Sequence, residues 1–255
     1  MSTRILALTL GLSLAALGVS CSSVDDQGAA STTTSAAESS TTTAAASTDA
    51  TTSTETAATG EPVTFTAEVW ADNWFSLSVN GEAVGEDSVP ITTERSFNSE
   101  TITFEATYPL TIAMVTKDFK ETDSGLEYIG TDRQQMGDGG FVAQITDTST
   151  GEVVAVTDDT WQALVVQRAP LNTECESSAD PDAECESEAI DEPADWTEAG
   201  FDDSEWTSGT VFTAAEVDPK EGYGDITWDP AAQFLWTADL EVDNTILWRA
   251  TVEAP

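Results

Sequence analysis

The alternation of apolar and polar residues is most regular between Phe75 and Val79. Every second residue there is large and apolar, and the residues between them are serines. A period of two predicts a β-strand with one buried face. The Asn80-Gly81 pair that follows tolerates positive φ and predicts a hairpin into a second strand. The polar segment 71–73 breaks the pattern, so a separate strand is expected over 64–70.

Short apolar segments with Gly, Asp or Pro turns recur along the rest of the chain. They lie at residues 101–106, 110–115, 141–145, 153–157, 161–166, 210–212, 234–236 and 246–252. No long segment has helical periodicity, and one short helix is expected near Asp202. Evenly spaced short strands predict an all-β fold, either an antiparallel sandwich or a barrel. Residues 172–195 lack the pattern and are expected to form a long acidic surface loop.

The first sixty residues are not expected to join this fold. Arg4 precedes an apolar run over residues 5–19, which predicts an export signal over 1–20 and is too short for a stable transmembrane helix. Residues 21–60 are rich in Ser, Thr and Ala and hold no aromatic residue, which predicts a disordered linker. Residues 61–255 then form one domain.

The end of the export signal, Leu17-Gly18-Val19-Ser20-Cys21, resembles a bacterial lipoprotein lipobox. The resemblance implies that Cys21 is lipidated and anchors the protein in the membrane at the cell surface. The leucine stands one position earlier than in the usual pattern. Cleavage followed by free secretion is the alternative.

The chain is strongly acidic, with 47 acidic residues, eight basic residues and a net charge of −39. The predicted domain holds 42 of the acids and seven of the basic residues. Nucleic acid and anionic membrane surfaces should therefore be repelled. A solvated surface is the simplest interpretation of this charge, and a bound cation or a cationic partner is the alternative.

Several motifs occur in a fixed order along the domain. They are Ala71-Asp72-Asn73 with Phe75–Gly81, Gly139-Gly140-Phe141, Asp158-Asp159-Thr160-Trp161, Phe201-Asp202-Asp203-Ser204-Glu205-Trp206 and Asn244–Arg249. The ordered set resembles galactose-binding-like jelly-roll domains, which occur as accessory modules, for example at the front of bacterial rhamnosidases. The resemblance implies a β-sandwich that binds ligands without a catalytic centre. It does not fix the ligand, and the acidic insert departs from the family pattern.

The chain contains no histidine, which excludes His-based triads, His general bases and most zinc sites. We therefore predict that the protein is not an enzyme. A glycosidase that uses two carboxylates is the catalytic alternative.

Cys175 and Cys185 are predicted to form a structural disulfide, because the chain is exported. Inside the bridged loop, acids at alternate positions can present oxygens to a calcium ion. The candidate calcium ligands are Asp180, Asp182 and Glu184. A solvated acidic loop is the alternative.

Aromatic side chains can stack on sugar rings, and the chain has eight tryptophans. Trp161, Trp206 and Trp248 are expected in the core. The candidate ligand-binding residues, in loops or polar clusters, are Trp74, Tyr223, Trp228, Trp236 and Arg133. A salt bridge is the alternative role for Arg133.

These residues predict a cell-surface lipoprotein that carries a non-catalytic binding module for carbohydrate or another extracellular polymer. A structural or protein-interaction domain, whose acidic face meets a cationic partner, is the second interpretation.

Overall fold

Two antiparallel β-sheets pack face to face in the computed structural model, which describes residues 60–92 and 97–255. The predicted all-β sandwich is therefore confirmed, and its architecture is compatible with a jelly roll. The predicted export signal, the lipidation at Cys21 and the linker up to residue 59 lie outside the described residues.

Fifteen strands and two short α-helices are present in the described ranges. In chain order they are β1 (Val63–Asp72), β2 (Trp74–Val79), β3 (Glu82–Glu86), β4 (Phe97–Ala106), β5 (Leu110–Lys117), β6 (Leu126–Glu127), β7 (Gln135–Met136), β8 (Gly140–Asp147), β9 (Glu152–Val156), β10 (Gln162–Arg168), α1 (Pro181–Glu184), β11 (Glu188–Ala189), β12 (Thr207–Ser208), β13 (Thr210–Phe212), α2 (Ala214–Val217), β14 (Phe234–Trp236) and β15 (Asp243–Val252). Among these residues, no helix is long and apolar enough to cross a membrane.

Sheet A has the strand order β13-β14-β8-β1-β4, with β9 paired to β8. Sheet B has the order β11-β10-β15-β5-β2-β3, with β12 paired to β10. β1 extends beyond the predicted end at residue 70 through Ala71 and Asp72, so Asn73 alone separates it from β2, and the chain passes from sheet A to sheet B at this residue. The predicted break between two strands is thus a crossover between the two layers.

The predicted hairpin after β2 is confirmed. Asn80 and Gly81 have φ values of 54° and 83°, and they connect β2 to β3. The Asn80 side chain adds two bonds across the sandwich end, because Oδ1 accepts from the Thr111 N–H at 2.7 Å and Nδ2 donates to the Thr107 carbonyl at 2.9 Å.

The core lies between the inner faces of the two sheets. The alternating residues Phe75, Leu77 and Val79 of β2 face this core, as their period predicts. Phe141 of sheet A lies 4.9 Å from Trp248 of sheet B, measured between ring centroids. Such contacts join the two layers, and β5 and β15 lie in the middle of sheet B.

Two chain segments cover parts of the outer faces. Residues 214–232 pack on Trp70 and Phe234 of sheet A, and residues 196–206 pack on Ala113 and Leu247 of sheet B. The predicted helix near Asp202 is wrong. Asp202 Oδ1 accepts from the Ser204 N–H at 3.1 Å and closes a turn instead.

The predicted disulfide is confirmed in the acidic insert. Cys175 and Cys185 are joined, with their Cα atoms 5.3 Å apart. The insert is mostly exposed, as expected, and it contains a 3-10 turn over Thr173–Ser177 and the short helix α1.

Candidate functional site

Trp236 lies in the core, so the prediction that it is exposed is wrong. Its side chain is 0% exposed, its ring centroid is 6.5 Å from that of Trp248, and its Nε1 donates to the Asp243 carbonyl at 2.9 Å. The strand β14 lies between β13 and β8, which leaves no open edge beside it. Trp236 therefore cannot contact an external ligand. Trp161 and Trp248 are buried as expected, while Trp206 is partly buried on sheet B.

Tyr223 and Trp228 are brought together by the segment that covers sheet A. Their rings stack with centroids 5.8 Å apart and an interplanar angle of 15°, and Trp228 Nε1 donates to the Tyr223 carbonyl at 3.0 Å. Tyr223 also packs against Phe234 and Trp70. Both rings are half-buried and use their faces on protein neighbours. This arrangement holds the covering segment in place and leaves little ring face for a sugar.

Arg133 is exposed, and its guanidinium carbon lies 4.0 Å from the centroid of the Tyr128 ring. Arg133 therefore contacts a ring other than the candidate ligand-binding residues Trp74, Trp228 and Trp236. The adjacent Gln134 donates to the carbonyls of Glu176 and Ser178, at 2.7 and 2.8 Å. The polar cluster around Arg133 therefore fixes the acidic insert to the domain.

The predicted calcium ligands in the insert do not converge. Pro181–Glu184 is a helical turn, in which residues two apart point to nearly opposite sides. Asp180, Asp182 and Glu184 are all exposed. In the described part of the chain, no three His, Cys, Asp or Glu residues form a metal-binding group. The alternation in sequence failed as a signal because it presents oxygens together only in extended backbone.

A different set of polar residues forms a row across the outer face of sheet B. Gln167 of β10 pairs with Thr245 of β15, Thr245 pairs with Lys117 of β5, and Lys117 pairs with Trp74 of β2. Directly paired residues in antiparallel strands project from the same face of a sheet. The row therefore joins the predicted Trp74 to three residues that the sequence analysis missed.

A groove of about 410 Å³ lies over Lys117, Thr245 and Gln167 of this row and is named here the sheet B groove. Lys117, Thr245 and Gln167 line its floor, and Ile91 and Ile190 lie on its sides. The remaining lining residues are Thr92, Asp118, Lys120, Val166, Ala189 and Glu192. The lining thus mixes apolar side chains with hydrogen-bonding ones, which is the usual composition of a small-molecule site.

Gln167 is the unusual member of the groove floor. The side chain is buried, with 9% exposure, yet neither Oε1 nor Nε2 has a hydrogen-bond partner among the described residues. Buried amides in native proteins are almost always paired. Both amide atoms are closed off from solvent, so a ligand in the groove reaches them only if the side chain turns.

Trp74 lies at the other end of the row, next to Lys117, and is not part of the groove lining. It is half-buried, and the Lys117 ammonium lies 5.0 Å from the centroid of its ring. Such a cation–π contact at a partly exposed site is worth about 0.5–1 kcal/mol, so a ligand can displace the lysine at small cost. Of the predicted tryptophans, Trp74 is the one that contacts a residue of the sheet B groove in the described part of the chain.

Asp118 connects the groove to a buried acidic group at the same end of the sandwich. Asp118 and Asp72 are both almost fully buried, and burial raises the pKa of each carboxyl well above its usual value. The charge of Asp118 raises the pKa of Asp72 further. Both residues end strands in the sequence, but only the register of the sheets brings them together.

No family model, curated protein or solved structure matches this chain.

Proposed function

We propose that the domain is a non-catalytic binding module of the galactose-binding-like type and that it holds carbohydrate in the sheet B groove. The observation that carries the proposal is the row of Trp74, Lys117, Thr245 and Gln167 on the outer face of sheet B. Lys117, Thr245 and Gln167 line the groove, and Trp74 lies next to Lys117.

The size of the groove suits a small polar ligand. Ligand sites in proteins typically occupy roughly 300–1,000 Å³, and the sheet B groove occupies about 410 Å³. Ile91 and Ile190 supply apolar contact at its sides. A sugar unit presents both kinds of surface, because its ring carries apolar C–H groups and its rim carries hydroxyls.

The unpaired amide of Gln167 favours a hydroxyl-rich ligand. Each sugar hydroxyl both donates and accepts a hydrogen bond, so neighbouring hydroxyls can satisfy Oε1 and Nε2 together. Thr245 and Lys117 stand next in the row and add a hydroxyl and an ammonium donor. The Trp74 ring can then stack on the apolar face of the next sugar unit.

The anchoring of this module is part of the same proposal. Lipid attached at Cys21 would hold the protein in the membrane, and residues 22–60 would act as a tether between lipid and domain. A module displayed in this way meets polymers outside the cell, which fits a carbohydrate ligand.

A glycan array probed with the full-length protein tests the proposal. We expect specific binding that is reduced at least tenfold by Trp74→Ala and by Gln167→Ala. Gln162→Ala is the matched control, because Gln162 lies on the same strand but outside the groove. Its binding should equal that of the wild type.

Three other outcomes would overturn the proposal. Binding that is lost in Trp228→Ala but kept in Trp74→Ala would place the site on the Tyr223–Trp228 pair. Silence on the array, together with salt-sensitive capture of a basic protein, would support an interaction domain with an acidic face. Turnover of a chromogenic glycoside would support a carboxylate-dependent glycosidase.

A further inference from the structure

The strand β9 forms an open edge of sheet A. It pairs with β8 on one side, and no strand within residues 60–92 and 97–255 pairs with its other side. At its end, the Val156 carbonyl accepts from Trp161 Nε1 at 2.9 Å. An open edge presents backbone N–H and C=O groups with which another extended chain can pair.

The end of β15 forms a second open edge, in sheet B. Gln162, the first residue of β10, pairs with Arg249 of β15. Residues 250–252, which follow Arg249, pair with β5 on one side and with no strand of the described ranges on the other. β10 begins only at Gln162 because the chain arrives there from β9, in the other sheet.

A groove lies between these two edges and is named here the edge groove. Its first part occupies about 420 Å³ and is lined by residues 153–156 of β9 and by residues 250–253. Successive residues of a strand point to opposite faces, so lining by consecutive residues indicates that the groove follows the strand edges. A second part, of about 580 Å³, adjoins the first because the two parts share the lining residues Val153, Val154, Asp229, Val252 and Glu253.

The edge groove combines apolar contact with negative charge. Val153 is exposed, and Val154 and Val252 are half-buried. The acids that line the groove are Glu152, Asp158, Asp229 and Glu253. No Lys or Arg of the described residues lines either part.

The charge of the groove separates the chains that could occupy it. A second copy of this protein carries a net charge of −39 and would bring the same acids edge to edge. The segment 22–60 of this chain holds five acids and no basic residue. Lys and Arg side chains on a partner would instead complement the acids of the groove.

We propose that the edge groove binds an extended, cationic segment of a partner protein. The segment pairs with the open edge of β9, and its basic side chains reach Asp158, Asp229 and Glu253. Apolar side chains between the basic ones contact the valines of the lining. This site shares no lining residue with the sheet B groove, so it does not depend on glycan binding.

A fluorescently labelled peptide of alternating Lys and Val tests the proposal by anisotropy titration with the full-length protein. A length of about eight residues is enough to span β9, and about 0.15 M salt screens binding to scattered surface acids. We expect saturable binding at one equivalent. A peptide with Pro in place of every Val keeps the same charge but loses half of the backbone donors. It should bind at least tenfold more weakly, and equal binding of the two peptides would overturn the proposal.

Ala231→Lys tests where the peptide binds, because Ala231 is exposed and lines the edge groove. The added cation should weaken binding at least tenfold. Ala183→Lys is the matched control, since Ala183 is an exposed alanine of the acidic insert and the change in net charge is the same. It should leave binding unchanged, and both variants should keep the thermal midpoint of the wild type.

Three results would overturn the proposal. The first is equal binding by the two variants, which would indicate attraction to the overall charge. The second is the absence of saturable binding to the wild type. The third is a dimer of the unliganded protein that Ala231→Lys dissociates in sedimentation experiments, because this would assign the edge groove to a second copy.

Discussion

Replacing Gln167 by Met should make the ligand-free protein more stable while it removes glycan binding. Methionine has a similar length and is apolar, so it can fill the same space without a buried polar group. Neither atom of the Gln167 amide has a partner within residues 60–92 and 97–255, so the substitution breaks no hydrogen bond there.

The size of the effect follows from the cost of burying an unpaired amide. Mutational data place that cost at about 1–3 kcal/mol. For a domain of this length, each 1 kcal/mol shifts the thermal midpoint by roughly 2–4 °C. Gln167→Met should therefore raise the midpoint by about 2–12 °C, measured by thermal unfolding without ligand.

Gln144 provides the matched comparison. It is equally well buried, but its Nε2 donates to Glu68 Oε2 at 2.5 Å and to the Thr227 carbonyl at 3.2 Å, and its Oε1 accepts from the Asp229 N–H at 2.6 Å. Gln144→Met should destabilise the protein by about 2–4 kcal/mol, because it leaves these partners unpaired. A Gln167→Met variant that is destabilised like Gln144→Met would refute the reasoning, since it would show that the Gln167 amide has structural partners.

Two further predictions concern buried charges elsewhere in the sandwich. The Arg249 guanidinium donates to Asp203 Oδ2 at 2.8 Å and to the Trp196 carbonyl. A lysine cannot reach both, so Arg249→Lys should lower the free energy of unfolding by about 1–3 kcal/mol in urea titrations. An unchanged urea midpoint would contradict this prediction. Burial raises the pKa of Asp87 above its ordinary value of 3.8, so the wild type loses stability as the pH rises from 3.8 through the raised pKa. The Asp87→Asn variant keeps an acceptor for the Val89 N–H. The difference in unfolding free energy between this variant and the wild type should therefore grow in favour of the variant as the pH rises through that window. A difference that does not change with pH would contradict the raised pKa of Asp87.

Local features of the fold were predictable from the sequence because neighbouring residues determine them. The alternation from Phe75 to Val79 and the Asn80-Gly81 turn specify a strand and a hairpin without information from distant residues. Trp236 was misplaced because β14 is a short, wholly apolar strand, Phe234–Trp236, which is buried on both faces. A strand without alternation carries no signal that separates an exposed residue from a core residue.

The sheet B groove could not be predicted, because its residues are far apart in the chain. Trp74 and Gln167 are brought to one face only by the pairing of four strands. Lys, Thr and Gln are also common surface residues, so Lys117 and Thr245 carried no signal of their own. In the acidic insert, a site was predicted that the structure does not form. Asp180 and Asp182 can face one metal ion only in extended backbone, and Asp182 lies in a helical turn.

The most direct test of a binding site in the sheet B groove is an NMR titration of the full-length protein with the strongest ligand from the glycan array. We expect the largest shift changes at the Gln167 side-chain amide, the Thr245 backbone amide and the Trp74 indole, all saturating with one dissociation constant. Shift changes at Trp228 and Tyr223 with unchanged groove signals would contradict the proposed site.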